Sequence, residues 1–376
     1  MVPTELRALA REWDLGGVVL FGRNVEAPEQ VAELAFRAQE LAHDVPLWIG
    51  IDQEGGRVAR LRAPFTEWPP MEGLGRQGDN GLAGRFAAAL ADELSAVGVS
   101  LDFAPVLDVR HDGANPVIGD RALSSDPAEV GRIGAVIIET LQRNGIAACA
   151  KHFPGHGDAR ADSHTELPVI EQPPERLREQ DMAPFRAAVG ANVAGVMTAH
   201  ILYPSLDVEQ PATLSRTIVR DLLRDEIGHQ GLVVTDDLEM GAITQTHTVE
   251  QAAVAALGVG CDTALLCGAS VERHVSVLEA IIRAVEAKTL DVRTVEDALA
   301  RQRRVKGRFL AGARPRRPLA GKALRARLGT SAHQAVAEEI AEAPAAEAVA
   351  EEAEAVVEEA EAAVEEAVVE EAAVEE

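Results

Sequence analysis

Gly231-Leu232-Val233-Val234-Thr235-Asp236-Asp237-Leu238 is the stretch that decides the fold. Its apolar run is continuous rather than alternating, the signature of a strand buried on both faces. It ends in two carboxylates. A helical pattern precedes it at 215–227 and another follows at 249–258. The unit recurs along the chain. Short apolar runs bounded by turn residues lie at 17–21, 47–52, 99–105, 147–153, 195–201, 232–238 and 263–268. Helical periodicity fills intervals at 28–42, 84–97, 127–144, 174–190 and 271–286. Several of these helices open on a capping residue, such as Ser215 or Asp126 before Pro127. Strand and helix alternating this often predict parallel β/α units. Seven strands are one short of a closed (β/α)8 barrel. The expected fold is therefore α/β, a (β/α)8 TIM-type barrel over residues 1–311 that lacks its first strand, an absence that a start site placed too late would explain.

Charge separates this body from the rest of the chain. The 376 residues carry 36 Lys and Arg against 61 Asp and Glu, a net charge of −25. Residues 331–376 hold 16 Glu and no Lys, Arg or Asp, which leaves the first 330 residues at −9. That balance excludes the basic footprint of a nucleic-acid binder and disfavours docking on an anionic membrane. Arg314-Pro315-Arg316-Arg317-Pro318 opens a basic, proline-containing linker at 312–330. Beyond it, 331–376 is a low-complexity Ala/Glu/Val tail. Its Glu pairs recur at 351/352, 358/359 and 365/366, with no cation to offset them. Repulsion between i,i+4 neighbours favours a disordered, solvated tail over a coiled coil, and the sequence names no partner for it. Three cysteines, Cys149, Cys261 and Cys267, form no disulfide framework and suit a reducing cytosol. The N-terminus lacks the pattern of a signal peptide, and no apolar run is long enough to span a bilayer. The expected location is cytoplasmic.

The functional signal lies at the strand ends, because β/α barrels build their sites at the C-terminal ends of the strands. One run ends in Asp52, opening Asp52-Gln53-Glu54-Gly55-Gly56-Arg57-Val58-Ala59-Arg60. Another ends in Lys151-His152 and enters Phe153-Pro154-Gly155-His156-Gly157-Asp158. Others end in Thr198-Ala199-His200 and Thr235-Asp236-Asp237. A single charged strand end is usually a satisfied ion pair. Four on one face point to a site.

The segment 151–164 is the densest, with His152, His156, Asp158, Asp162 and His164. His and Asp are metal ligands, but Pro154 and Gly155 prevent His152 and His156 from sharing a helix face, so the metal reading is the weaker one. The stronger reading is proton transfer. In Asp162-Ser163-His164 a carboxylate lies two residues from an imidazole and can hold its tautomer. Asp236 is suited to serve as a nucleophile toward a sugar anomeric carbon, a proton acceptor or a metal ligand. Arg60, Arg121 and Lys151 are candidates to hold substrate hydroxyls or an amide carbonyl, although each alone is more often a salt-bridge partner. Gly73-Leu74-Gly75-Arg76-Gln77-Gly78 matches G-x-G-x-x-G, but it follows Trp68-Pro69-Pro70 rather than a buried strand, so a dinucleotide site is not expected. No G-x-S-x-G elbow or Walker A sequence is present.

Taken together, these segments resemble the family 3 glycoside hydrolases, specifically the β-N-acetylhexosaminidases of bacterial cell-wall recycling. The resemblance spans residues 15–310. Its motifs are Ile51-Asp52-Gln53-Glu54-Gly55-Gly56-Arg57-Val58, Asn115-Pro116-Val117-Ile118-Gly119-Asp120-Arg121, the stretch 151–158 with Asp162-Ser163-His164, and 222–238 ending in Asp236-Asp237. It implies a (β/α)8 barrel without cofactor or metal. It implies Asp236 as nucleophile and His164 as acid/base with Asp162 orienting it. Substrate contacts fall on Asp52, Arg60, Arg121, Lys151 and His152, and His200 at its strand end joins the candidate set. The implied activity is exo-acting, retaining hydrolysis of terminal β-linked N-acetylglucosamine from peptidoglycan fragments through a covalent glycosyl-enzyme. The alternatives are a family 3 β-glucosidase, an N-acetylglucosaminide phosphorylase, and an inactive muropeptide-binding module. The chain departs from the family pattern at Ala122-Leu123 after Arg121, at Glu239, and in its strand count.

Overall fold

The computed structural model describes residues 2–43, 45–111, 115, 117–268, 270–311 and 317–342. Seven strands, β1 (Gly17–Leu20), β2 (Trp48–Ile51), β5 (Leu101–Asp102), β6 (Ala147–Phe153), β7 (Gly195–Thr198), β8 (Leu232–Asp237) and β9 (Thr263–Leu265), form one parallel sheet in chain order. A small antiparallel hairpin, β3 (Gln53–Gly55) and β4 (Val58–Ala59), projects from the end of β2. All seven strands are the ones the apolar runs predicted. Strands β2, β6 and β7 are buried along their whole length, which is why they read as continuous rather than alternating.

The sheet curls around a shared interior. Val19, Trp48, Leu101, Cys149, Met197, Val234 and Leu265, one from each strand, meet in a single apolar cluster. Val305, Phe309 and Leu310, from the helix Val292–Phe309 and the residue after it, plug that cluster. The same helix sends the buried Lys306 ammonium to the Gly16 carbonyl at 2.7 Å, so it covers the end where the strands begin. The opposite end, where the strands finish, is left for polar groups. Among the described residues no strand pairs β1 with β9, so the seven-stranded sheet is curled but open there. The Arg23 guanidinium crosses this seam to the Cys267 carbonyl at 2.5 Å.

The helices follow local chemistry. Asp126 caps Pro127–Arg143 by accepting from the Ala128 N–H at 2.8 Å. Thr248 and Gln251 form a reciprocal capping box at the start of Val249–Val259. The segment predicted as a helix at 215–227 forms a wider i→i+5 helix over Thr217–Glu226. The G-x-G-x-x-G stretch lies within a short helix, Met71–Gln77, and the residue after it. Gly75 is required by packing there, since a Cβ would lie 1.5 Å from the Leu123 carbonyl oxygen.

The C-terminal boundary differs from expectation. The helix Ser331–Ala341, assigned by composition to the tail, packs on the helices Met71–Gln77 and Asn80–Ala96. Val336, Ala337 and Ile340 are buried, and Arg85 holds Glu339 through two bonds of 2.8 and 2.6 Å. A low-complexity composition concealed this stripe because three apolar residues at i, i+1 and i+4 are enough to form one face. Arg314, Pro315 and Arg316 of the linker, and the tail from 343 onward, lie outside the described residues.

Candidate active site

Because the strands are parallel, their polar ends converge on one end of the sheet. Asp52 follows β2, Lys151 and His152 lie in β6, His200 follows β7, and Asp236 lies in β8. The centre is the Lys151 ammonium, 2.8 Å from Asp52 Oδ1 and 2.6 Å from Glu54 Oε1. Glu54 is also gripped by Arg121 through two bonds of 2.8 Å each. Asp52 Oδ2 receives Arg60 Nη2 at 3.1 Å. The hairpin β3–β4 brings Arg60 back to Asp52. The Gln53 amide staples it, accepting from the Arg60 and Leu61 N–H groups and donating to the Leu61 carbonyl.

Glu54, Lys151 and Arg121 hold one another charged. Burial pushes the Glu54 carboxyl up, but the Lys151 and Arg121 charges outweigh it and bring its pKa down to about 2. Burial pulls Lys151 down, yet Asp52 and Glu54 hold it well above its ordinary value. Asp102 is the exception. It is fully buried below the cage and accepts the Gln53 N–H at 3.0 Å, and burial raises it well above the carboxylate range.

Asp236 stands in a similar field. Burial raises its carboxyl, and His200, His152, the Asp237 N–H at 2.8 Å and Lys151 together lower it below the ordinary range, so it is a carboxylate. The neighbouring Asp237 is instead raised by burial, although it accepts the Glu239 and Cys267 N–H groups. The two strand-end carboxyls thus shift in opposite directions, Asp236 downward and Asp237 upward.

His152 is held by Asp108. Its Nδ1 lies 2.7 Å from Asp108 Oδ2, while Asp108 Oδ1 accepts the backbone N–H groups of His152 and His156 at 3.1 and 2.6 Å. A carboxylate there makes Nδ1 the donor and turns Nε2 away from Asp108. His200 has less freedom than expected of a substrate contact. Its Nδ1 meets Thr213 Oγ1 at 2.7 Å, its Nε2 donates to the Asp237 carbonyl at 3.0 Å, and the ring is buried. No nitrogen remains for a ligand, so His200 braces the end of β8.

Asp162 and His164 form the predicted dyad. One carboxylate oxygen, Asp162 Oδ1, takes the His164 Nδ1 at 2.8 Å and the His164 N–H at 2.9 Å. The dyad faces solvent, with side chains 66% and 43% exposed for His164 and Asp162. Among the described residues no hydrogen bond or ion pair joins it to Lys151, Asp52 or Asp236. Its links run through backbone, where the Gly241 N–H donates to the His164 carbonyl at 3.0 Å. Sequence reading left two residues of the site without a role. Glu54 lay inside a quoted motif, and its position two residues after Asp52 was the available signal. Asp108 had none, because it lies three residues beyond the 99–105 run and outside every quoted motif. Among the described residues no group of three or more His, Cys, Asp or Glu is placed to hold a metal ion.

Comparison with known proteins places this geometry. Residues 2–305 match the family model described as Glycosyl hydrolase family 3 N terminal domain. A beta-hexosaminidase of Thiobacillus denitrificans is 43% identical over 259 residues, covering 67% of this chain and 71% of the relative. A beta-hexosaminidase of Bordetella pertussis is 42% identical over 260 residues, covering 67% and 73%. Among solved structures, the glycoside hydrolase family 3 beta-N-acetylglucosaminidase from a Paenibacillus species superposes with a TM-score of 0.86 at 38% identity, over 90% of this chain and 64% of that one. NagZ from Neisseria gonorrhoeae, solved with N-trifluoroacetyl-D-glucosamine, superposes with a TM-score of 0.73 at 31% identity, over 90% and 93%.

Proposed function

The chain belongs to glycoside hydrolase family 3, in its β-N-acetylhexosaminidase branch, and from that premise we propose that it is an exo-acting, retaining β-N-acetylglucosaminidase. The observation that carries this reading is a pair of groups in opposite environments. Asp236 is kept ionised at the end of the sheet where the strands finish, while His164 stands in solvent with Nδ1 tied to Asp162 and, among the described residues, Nε2 without a partner.

In the first half-reaction the Asp236 carboxylate attacks the anomeric carbon. The bond to the leaving oxygen breaks, and protonated His164 gives that oxygen its proton. In the second, neutral His164 takes a proton from water, the water oxygen attacks the same carbon, and Asp236 leaves as carboxylate. A neutral imidazole next to the glycosyl-enzyme adds no second anion. Lys151 with Asp52 and Arg60 offers hydrogen-bonding groups for sugar hydroxyls. Arg121, His152 and the Glu54 that anchors Arg121 complete the sugar cage.

The acceptable substrates are terminal β-linked N-acetylglucosaminides, and peptidoglycan fragments are the natural candidates. The ligand of the Neisseria structure, an N-acylated glucosamine, supports the sugar class. Three free cysteines support a reducing compartment such as the cytosol. The deciding experiment is trapping with 5-fluoro-N-acetylglucosaminyl fluoride. The expected result is an intact mass raised by one sugar, with the label mapped to Asp236. No adduct, or a label on Asp52 or Asp237, would overturn the assignment.

A further inference from the structure

We propose that the segment following β8 is a latch that positions the acid/base, with Gly241 and Gln245 as positioning residues. The inference rests on the reading of His164 given above. Three consecutive carbonyls of the dyad turn each receive a donor from one short stretch. Ser163 accepts the Ala242 N–H at 3.1 Å, His164 accepts the Gly241 N–H at 3.0 Å, and Thr165 accepts Gln245 Nε2 at 2.7 Å. Gly241 and Ala242 open the helix Gly241–Thr244, so their N–H groups have no partner inside it and are available to the turn. The approach is as close as backbone allows. A Cβ on Gly241 would lie 2.7 Å from the Thr165 oxygen and 2.8 Å from the His164 oxygen.

The turn is internally stiff. The Asp162 carbonyl accepts the Thr165 and Glu166 N–H groups at 2.9 and 3.0 Å, while the Asp162 carboxylate fixes His164. Such a unit moves as a body, and the latch sets where it sits. On its other side, among the described residues, the hydrogen bond is the longer one of Ser163 Oγ with His156 Nε2 at 3.3 Å. The latch residues lie five and nine positions after Asp236 on the same stretch of chain. One element therefore carries the nucleophile and sets the position of the proton donor, which keeps their separation under common control. Gln245 is exposed and contacts none of Asp52, Lys151 or Asp236, so cutting its bond leaves the sugar cage and the nucleophile intact.

The test reads leaving-group dependence of kcat/KM, which reports the first half-reaction. A 2,4-dinitrophenyl N-acetyl-β-glucosaminide departs without a proton, whereas a disaccharide of N-acetylglucosamine needs one. Gln245→Glu, which keeps shape but loses the donor, is expected to lower kcat/KM on the disaccharide about 3- to 10-fold. The value on the dinitrophenyl substrate should stay within about twofold, and Gln245→Lys, which restores a donor, should recover most of the loss. Gly241→Ala should show the same split more strongly. Equal losses on both substrates, or no loss on either, overturn the latch. His164→Ala is the reference. If it shows no split, the acid/base reading fails and the latch with it. If it shows the split and Gln245→Glu does not, the latch alone fails.

Discussion

The cage around Lys151 and the dyad at His164 solve the same problem, holding a charge or a proton in place, by opposite means. Lys151 and Glu54 are about as buried as side chains become, with 3% and 2% exposure. Their ionisation is enforced by neighbours brought from distant parts of the chain. The dyad is local, built from residues two apart and open to solvent. A buried ion network is rigid and dry, which suits binding a sugar in one orientation, and removing one member leaves the others uncompensated. An exposed dyad contributes little to folding, but it can exchange its proton with water, as an acid/base that must be reset each turnover requires. The difference predicts that stability and activity separate between the two regions.

The largest effect should come from His164→Ala. We expect kcat/KM on an N-acetylglucosamine disaccharide to fall about 10²- to 10⁴-fold, while the unfolding free energy stays within about 0.5 kcal/mol. Urea titration beside steady-state kinetics checks both, and a loss of several kcal/mol would break the separation. Glu54→Ala is the converse. It takes away the carboxylate that grips Arg121 and leaves Lys151 with Asp52 alone, and the expected cost is about 3–5 kcal/mol, read as a lower urea midpoint at unchanged slope. A cost below about 1 kcal/mol would mean that solvent reaches the cage.

The fold was legible to the extent that its strands are buried on both faces, as the run at Leu232–Asp237 shows. The strand ends were legible too, because Asp52, Lys151, His152 and Asp236 interrupt apolar runs. Pairings across the fold were not. Arg121 reaches Glu54 across 67 positions and His152 reaches Asp108 across 44, and no local pattern encodes either meeting. His200 had the right place for a ligand contact, but Thr213 and the Asp237 carbonyl occupy its ring. The helix Ser331–Ala341 was missed because its apolar face is three residues set in a repetitive Ala/Glu composition.

Acid stability sharpens the comparison on a smaller scale. Glu54 is held at about 2 against an ordinary 4.5. A carboxyl depressed in the folded state stabilises fully above its unfolded pKa and loses that contribution as pH falls toward the folded value. The window is therefore pH 4.5 down to about 2, and the contribution is of order 3 kcal/mol. Unfolding free energy measured across that window should drop more steeply in the wild-type protein than in Glu54→Gln. Parallel curves would assign the acid limb to other carboxyls.

The smallest effect tests whether burial, rather than pairing, makes the cage strong. Arg85 and Glu339 form a two-bonded ion pair as regular as that of Arg121 and Glu54, but their side chains are 51% and 44% exposed. Water already solvates both groups when the pair is broken, so Arg85→Ala should cost no more than about 1 kcal/mol, and less at high salt. The helix Ser331–Ala341 should stay docked in that variant, because Val336, Ala337 and Ile340 carry its packing. Hydrogen exchange at the amides of 334–341 reads this directly. Protection equal to wild type is the expected result, and wholesale loss of protection would show that the exposed pair, not the apolar stripe, holds the helix in place.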